Sequence, residues 1–139
     1  MTNMTKNAKI TPILAAGSID SPYFAQLYIS QELCHKVCKD NVPVFAPAVT
    51  YVSISEVDTG QYVATFHVEG VISYLPCGRC CTTQTMNVSQ NFTLPIASAT
   101  APTSVTVTAG PVVNALIAPS CKNCTDDFSS QIPLTITVS

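Results

Sequence analysis

Tryptophan is absent from this sequence of 139 residues, and charged residues and glycine are scarce. Charged residues make up only 10% of it, against about 25% in a typical soluble protein. With a net charge of −2 and scattered basic residues, the chain offers no positive patch for the phosphates of a nucleic acid. No apolar run approaches the roughly 20 residues that cross a bilayer as a helix. We therefore expect neither nucleic acid nor a membrane as a partner.

Residues from which catalytic sites are built are also few. The histidines are His35 and His67, and a nucleophile needs a base that a third group usually orients. His67 and Glu69 fall on one face of a predicted strand, where an exposed polar pair is the ordinary interpretation. The adjacent Asp126 and Asp127 lack the alternating ligand spacing of a calcium loop, and the glycines form no phosphate-binding loop. We therefore expect a protein that is not an enzyme.

What the sequence does contain is a series of Val-, Ser- and Thr-rich runs that alternate between apolar and polar residues. Period-two alternation predicts half-buried antiparallel strands. A turn is predicted at residues 57–60, with Gly60 at a positive φ, and Gly70 is predicted to be a bulge or bend. About seven such strands predict an all-β, antiparallel β-sandwich of Greek-key or jelly-roll-like type. The predicted strands cover residues 48–54, 62–75, 83–96, 104–108, 112–117 and 132–138, with 42–48 as an edge strand or connection and 125–131 as a polar loop.

The N-terminal part is harder to assign. We predict an N-terminal arm or first element over residues 1–30, followed by a single β-sandwich domain over 31–139. Within residues 23–33, Phe24, Leu27 and Tyr28 have helical spacing. If residues 23–33 form a strand instead, their side chains do not separate into one apolar row and one polar row. An arm that docks on a neighbouring molecule and an ordinary packed strand are the two interpretations, and the packed strand is the plainer one.

Seven cysteines fall in three clusters: Cys34 and Cys38; Cys77, Cys80 and Cys81; Cys121 and Cys124. The second and third clusters each hold a C-x-x-C pair between two predicted strands. Two such pairs can supply the four thiolates of a tetrahedral zinc site. The ligands in that interpretation are Cys77, Cys80, Cys121 and Cys124, with His35 as a further candidate.

Disulfides are the alternative to zinc, and free buried thiols are the third possibility. Seven is an odd number, so one cysteine would remain to bond another subunit. Cys34 and Cys38 form a possible further pair, and the role of Cys81 stays open. A redox-active pair is the least favoured interpretation, since it needs a helix N-terminus that lowers the thiol pKa.

In composition and strand plan the chain resembles small all-β subunits of virions, surface fibres and spore appendages. That resemblance implies a structural protein whose partners are copies of itself or other structural subunits, in a virion or an extracellular surface assembly. We expect no clear signal peptide. The alternative function is a zinc-stapled binding module that presents Arg79, Lys122 and Asn123 to a ligand. In either case no cofactor is expected beyond one structural zinc.

Overall fold

The computed structural model describes residues 8–15, 21–33, 37, 42–75, 83–117 and 127–139. These residues form eight strands: β1 (Lys9–Leu14), β2 (Tyr23–Glu32), β3 (Val44–Asp58), β4 (Gln61–Tyr74), β5 (Gln84–Ala97), β6 (Val105–Ala109), β7 (Val113–Ile117) and β8 (Asp127–Val138). In this described part of the chain no helix is long and apolar enough to cross a membrane.

Two antiparallel sheets pack against each other, which confirms the predicted β-sandwich. The five-stranded sheet has the order β1-β2-β8-β6. In this sheet β6 and β7 lie end to end along the same side of β8. The three-stranded sheet has the order β3-β4-β5, and its strands are the longest in the molecule. At the sides of the sandwich, β1 lies against β5 and β6 lies against β3.

The sandwich has two distinct ends. At the turn end, β2 begins at Tyr23, whose hydroxyl donates a hydrogen bond to the carbonyl of Ala97 at the end of β5. The tight turn at Gly60, between β3 and β4, lies at this same end. At the other end, the rings of Phe45 and Phe128 meet edge to face with their centroids 6.4 Å apart. We call this the cysteine end, because the segments of sequence that carry the cysteines leave from it.

Alternate side chains of both sheets fill the space between them. Leu27 of β2, Phe66 of β4 and Phe128 of β8 are fully buried. The ring of Phe66 stacks on that of Phe92, with centroids 5.5 Å apart. Burying one side chain of this size contributes about 1.5–3 kcal/mol relative to leaving it exposed. The result is one continuous core, which also includes Ile29, Leu33, Ile72, Leu94, Ile96, Ile132, Leu134 and Ile136.

Two predictions about glycines have different outcomes. The turn at Gly60 is confirmed, with φ at 74°. The bulge at Gly70 is wrong, because Gly70 pairs in register with both neighbouring strands. A Cβ at this position would lie 2.5 Å from the carbonyl oxygen of Ala46 and 2.8 Å from the ring of Phe45. Close approach of β3 therefore requires the glycine, and the register shifts of β3 occur at Tyr51/Ser53 and Glu56/Asp58 instead.

The last strand also begins earlier than predicted. Residues 127–131 belong to β8 and not to a polar loop. Phe128 and Ser130 point into the core, and the Ser130 hydroxyl donates to Oδ1 of Asn114 at 3.2 Å. This internal partner is why a serine is tolerated there, since a buried polar group without one is costly.

The ambiguous N-terminal stretch is a strand. β2 runs from Tyr23 to Glu32 in the five-stranded sheet, between β1 and β8. Ala25, Leu27 and Ile29 are buried between the sheets. The alternate row of β2 faces outward, and it carries Phe24 and Tyr28.

Candidate functional site

The cysteines predicted to bind zinc or to form disulfides lie outside the described residues. These are Cys34, Cys38, Cys77, Cys80, Cys121 and Cys124, together with Cys81. His35 and the ligand-presenting residues Arg79, Lys122 and Asn123 also lie outside them. The zinc and disulfide interpretations therefore stay predictions. The described strand ends on either side of each cysteine segment can still be placed.

Those strand ends gather at one end of the sandwich. Glu32 ends β2 opposite Asp127, which begins β8. Ile117 ends β7 and also pairs with Asp127. In the other sheet, the paired residues Tyr74 and Gln84 end β4 and begin β5. All three cysteine segments are thus anchored at the cysteine end, on strands of both sheets.

Within the described ranges, no group of three or more His, Cys, Asp or Glu side chains is placed to hold a metal ion. Asp127, one of the two adjacent aspartates considered in the sequence, starts β8. Its neighbour across the sheet is Glu32. Two carboxylates therefore mark the outer surface of the five-stranded sheet at the cysteine end.

His67 lies on the outer face of the three-stranded sheet within a small hydrogen-bonded group. Its Nδ1 is 2.7 Å from Oδ1 of Asn91, and its Nε2 is 3.1 Å from Oγ of Ser89. An amide oxygen can only accept a hydrogen bond, so Nδ1 carries a proton, and in the neutral imidazole Nε2 then accepts from the serine hydroxyl. The order serine, histidine, asparagine is that of a nucleophile, its base and an orienting group.

The surroundings of His67 argue against use as a nucleophilic site. β4 is paired on both sides here, with Thr50 of β3 and Asn91 of β5 opposite His67. The backbone N–H groups of β4 near His67 therefore form hydrogen bonds within the sheet. They are not aimed at a developing oxyanion, although acyl transfer requires such donors. The arrangement is that of a hydrogen-bonded polar surface on an open sheet.

The outer face of the five-stranded sheet is different, because it exposes large apolar side chains. Exposed fractions are 50% for Ile13, 53% for Phe24, 37% for Tyr28 and 62% for Val113. These four residues and the half-buried Pro133 make up what we call the apolar face. An exposed apolar patch on a soluble protein commonly marks an interaction site.

The strand register brings these residues together around one polar pair. Ile13 and Pro133 lie on either side of Gln26 in a single row across the sheet. Phe24 and Tyr28 lie two residues to either side of Gln26 along β2. Gln131, opposite Tyr28, donates a hydrogen bond from Nε2 to Oε1 of Gln26 at 3.0 Å. The centre of the apolar face is therefore a pair of amides that bond to each other.

A second exposed apolar surface follows β3, which pairs with β4 alone among the described strands. This β3 edge exposes Val44, Tyr51, Val52 and Val57. Residues 48–55 contain no charge, proline or glycine, the composition typical of strands that pair with other chains. The register shifts of β3 add twist, which restricts how much of the edge can pair.

At the turn end, one titratable pair joins β3 to β4. Tyr62 lies opposite Glu56 in the register. Burial, and then the charge and hydrogen bond of the Glu56 carboxylate, raise the pKa of Tyr62. The phenol is therefore held in its protonated, hydrogen-bond-donating form.

Comparison with known proteins gives no assignment. No protein-family model matches the chain, and neither a characterised protein nor a solved structure matches it. The surfaces described above are therefore the basis of the proposed function.

Proposed function

We propose that this protein is a non-enzymatic structural subunit, a β-sandwich that assembles with copies of itself or decorates a larger particle. Such a particle would be a virion, a fibre or a surface appendage, and the other subunits would be its partners. The observation that carries this proposal is the apolar face, an outward row of β2 and its neighbours that exposes Phe24, Tyr28 and Ile13.

Scarcity of charge supports the same function. Charged residues keep protein surfaces apart in solution, and here they are 10% of the sequence. A free monomer with this composition and with an exposed apolar face would be poorly soluble. A subunit whose surface is covered by neighbours avoids that cost.

The β3 edge supplies a second surface for contacts between copies. An exposed edge strand can accept another strand through its backbone N–H and C=O groups. One self-complementary surface gives a closed dimer, whereas two different surfaces allow larger assemblies. The apolar face and the β3 edge together therefore suit a particle or a fibre.

The experiment is sedimentation velocity of the full chain under native conditions, from about 1 µM to about 1 mM, the range in which weak protein contacts form. We expect the sedimentation coefficient to rise with concentration. A single species with the mass of a monomer over the whole range would contradict the proposed function.

The second candidate function is a zinc-stapled binding module. The observation that favours it is the gathering of the described strand ends at the cysteine end, among them Glu32, Ile117 and Tyr74. Native mass spectrometry of the non-reduced protein separates the two functions. A mass loss on denaturation equal to one zinc would favour the module, and disulfide-linked multimers without metal would favour the cross-linked structural subunit.

A further inference from the structure

We propose that the apolar face of one copy packs onto the apolar face of a second copy, with the strands of the two copies antiparallel. The two-fold axis of this dimer passes over Gln26 and runs perpendicular to the strands. The inference depends on the proposed function, since it names the partner and the contact through which the subunit assembles.

The area that this arrangement covers approaches the low end of specific interfaces. About an axis over Gln26, residues 23–29 of β2 cover the same residues of the second copy, a length of about 23 Å at 3.3 Å per residue. Four strands side by side are about 19 Å wide. The projected area is therefore roughly 440 Å², and side-chain relief raises the accessible area toward the roughly 600 Å² per partner of a small specific interface.

The face is also complementary to itself. Phe24 and Tyr28 are placed symmetrically about Gln26, so the two-fold axis sets Phe24 of each copy over Tyr28 of the other. Ile13 and Pro133 lie in the row of Gln26 and meet their own counterparts. In a two-fold interface the contact between Phe24 and Tyr28 occurs twice. Aromatic pairs of this kind favour offset or edge-to-face packing.

The polar atoms at the centre can enter the contact without a large penalty. Gln26 and Gln131 already share a hydrogen bond, so part of their hydrogen-bonding need is met within one copy. No charged residue belongs to the apolar face itself. The nearest charged side chains on the outer surface of β1, β2 and β8 are Lys9, Glu32 and Asp127, all towards the cysteine end.

These charges select the antiparallel arrangement. In a parallel stacking, about an axis along the strands, β2 of one copy would cover β8 of the other. Glu32 would then face Asp127 of the second copy twice, which like charges disfavour. Lys9, on β1, would lie over β7 and could not offset them. In the antiparallel arrangement this repulsion is absent, because Asp127 lies over Ser139 of the second copy and Glu32 lies beyond Tyr23, the first residue of its β2.

The test is a charge exchange across the predicted contact, followed by sedimentation of the full chain. Phe24→Lys alone and Tyr28→Glu alone should each weaken association by about 100-fold, because each buries an unpaired charge. The combined variant should recover to within about tenfold of wild type, because each lysine would face a glutamate of the other copy. Within one strand the two positions are about 13 Å apart, too far to pair within a copy.

A matched control lies on the other sheet. Val71 is an exposed apolar residue on the outer face of β4, and Val71→Lys should leave association unchanged. Circular dichroism checks that each variant is folded. Phe24→Ser and Tyr28→Ser replace the charged variants if either fails to fold, and each should weaken association while Val71→Ser does not.

The outcomes separate this inference from the proposed function. A wild-type chain that stays monomeric overturns both. Association of the wild type that neither single variant weakens overturns the apolar face as the contact and leaves the proposed function standing. Weakening by both single variants without recovery in the combined variant overturns the antiparallel two-fold arrangement.

Discussion

The outer faces of the two sheets are built from the same strand geometry and carry different side chains at their centres. On the three-stranded sheet the centre is polar, with His67, Asn91 and Ser89 bonded to one another, and exposed valines such as Val44 and Val71 lie on the same face. On the five-stranded sheet the outward rows expose Phe24 and Tyr28 around a pair of glutamines. Both inner faces are mainly apolar, with Ser130 and Gln31 as buried polar residues. Under the proposed function, the outer face of the three-stranded sheet meets water and that of the five-stranded sheet meets a neighbouring copy.

The largest expected effect is on the free energy of unfolding, and it distinguishes the inward row of β2 from its outward row. Leu27→Ala removes a fully buried side chain and should lower the free energy of unfolding by about 3 kcal/mol. Phe24→Ala, on the outward row, should cost less than about 1 kcal/mol in the monomer. Denaturant unfolding at a concentration low enough to keep the chain monomeric measures both. Equal losses would mean that Phe24 supports the fold of one copy and not a contact between copies.

Gly70 tests what holds the three-stranded sheet together. Gly70→Ala should lower the free energy of unfolding by about 1–3 kcal/mol, because its Cβ would overlap the backbone of β3. The control is Ser73→Ala on the outward row of β4, where a change of this kind usually stays within about 0.5 kcal/mol. If both variants are equally stable, β3 does not approach β4 as closely as described.

His67→Ala tests the polar outer face. Loss of its two side-chain hydrogen bonds should lower the free energy of unfolding by about 1 kcal/mol. Sedimentation should show unchanged association, since this face is expected to stay in water. Thr65→Ala, on the same row of β4, is the matched control. Weaker association of the His67 variant alone would instead assign the contact to the three-stranded sheet.

The smallest expected effect concerns alkaline pH. Burial and Glu56 raise the pKa of Tyr62 in the folded chain, so the folded state holds this proton more tightly than the unfolded state. The resulting stability is fully present below the ordinary tyrosine pKa of about 10 and is lost as pH rises through the raised value. Free energies of unfolding measured on either side of pH ~10 should fall more steeply for wild type than for Tyr62→Phe. Glu56→Gln should lie between them, and identical slopes for wild type and Tyr62→Phe would contradict the account.

The sequence predicts the fold best where one face is apolar and the other polar. Residues 64–69 alternate cleanly, and β4 runs through them with Phe66 and Val68 in the core. Gly60 supplies a turn that needs no tertiary information. The start of β8 could not be predicted, because Ser130 is polar in sequence and becomes acceptable inside only once Asn114 is beside it.

The sequence does not predict the apolar face, for a related physical reason. In residues 23–32 both rows of the strand carry large apolar side chains, so no polar face can be identified and the stretch is ambiguous between helix and strand. That ambiguity is itself a signal, since a strand with two apolar rows exposes one of them unless a neighbouring molecule covers it. Only the register reveals that Ile13 and Pro133 join Phe24 and Tyr28.

Hydroxyl-radical footprinting of the full chain tests the central claim most directly, because it reports the exposure of individual side chains. The oxidation rates of Phe24, Tyr28 and His67 would be compared at low and at high protein concentration. We expect Phe24 and Tyr28 to become several-fold protected as the chain associates, while His67 stays as reactive as before. Association that leaves Phe24 and Tyr28 fully reactive, or that protects His67 in their place, would contradict the account.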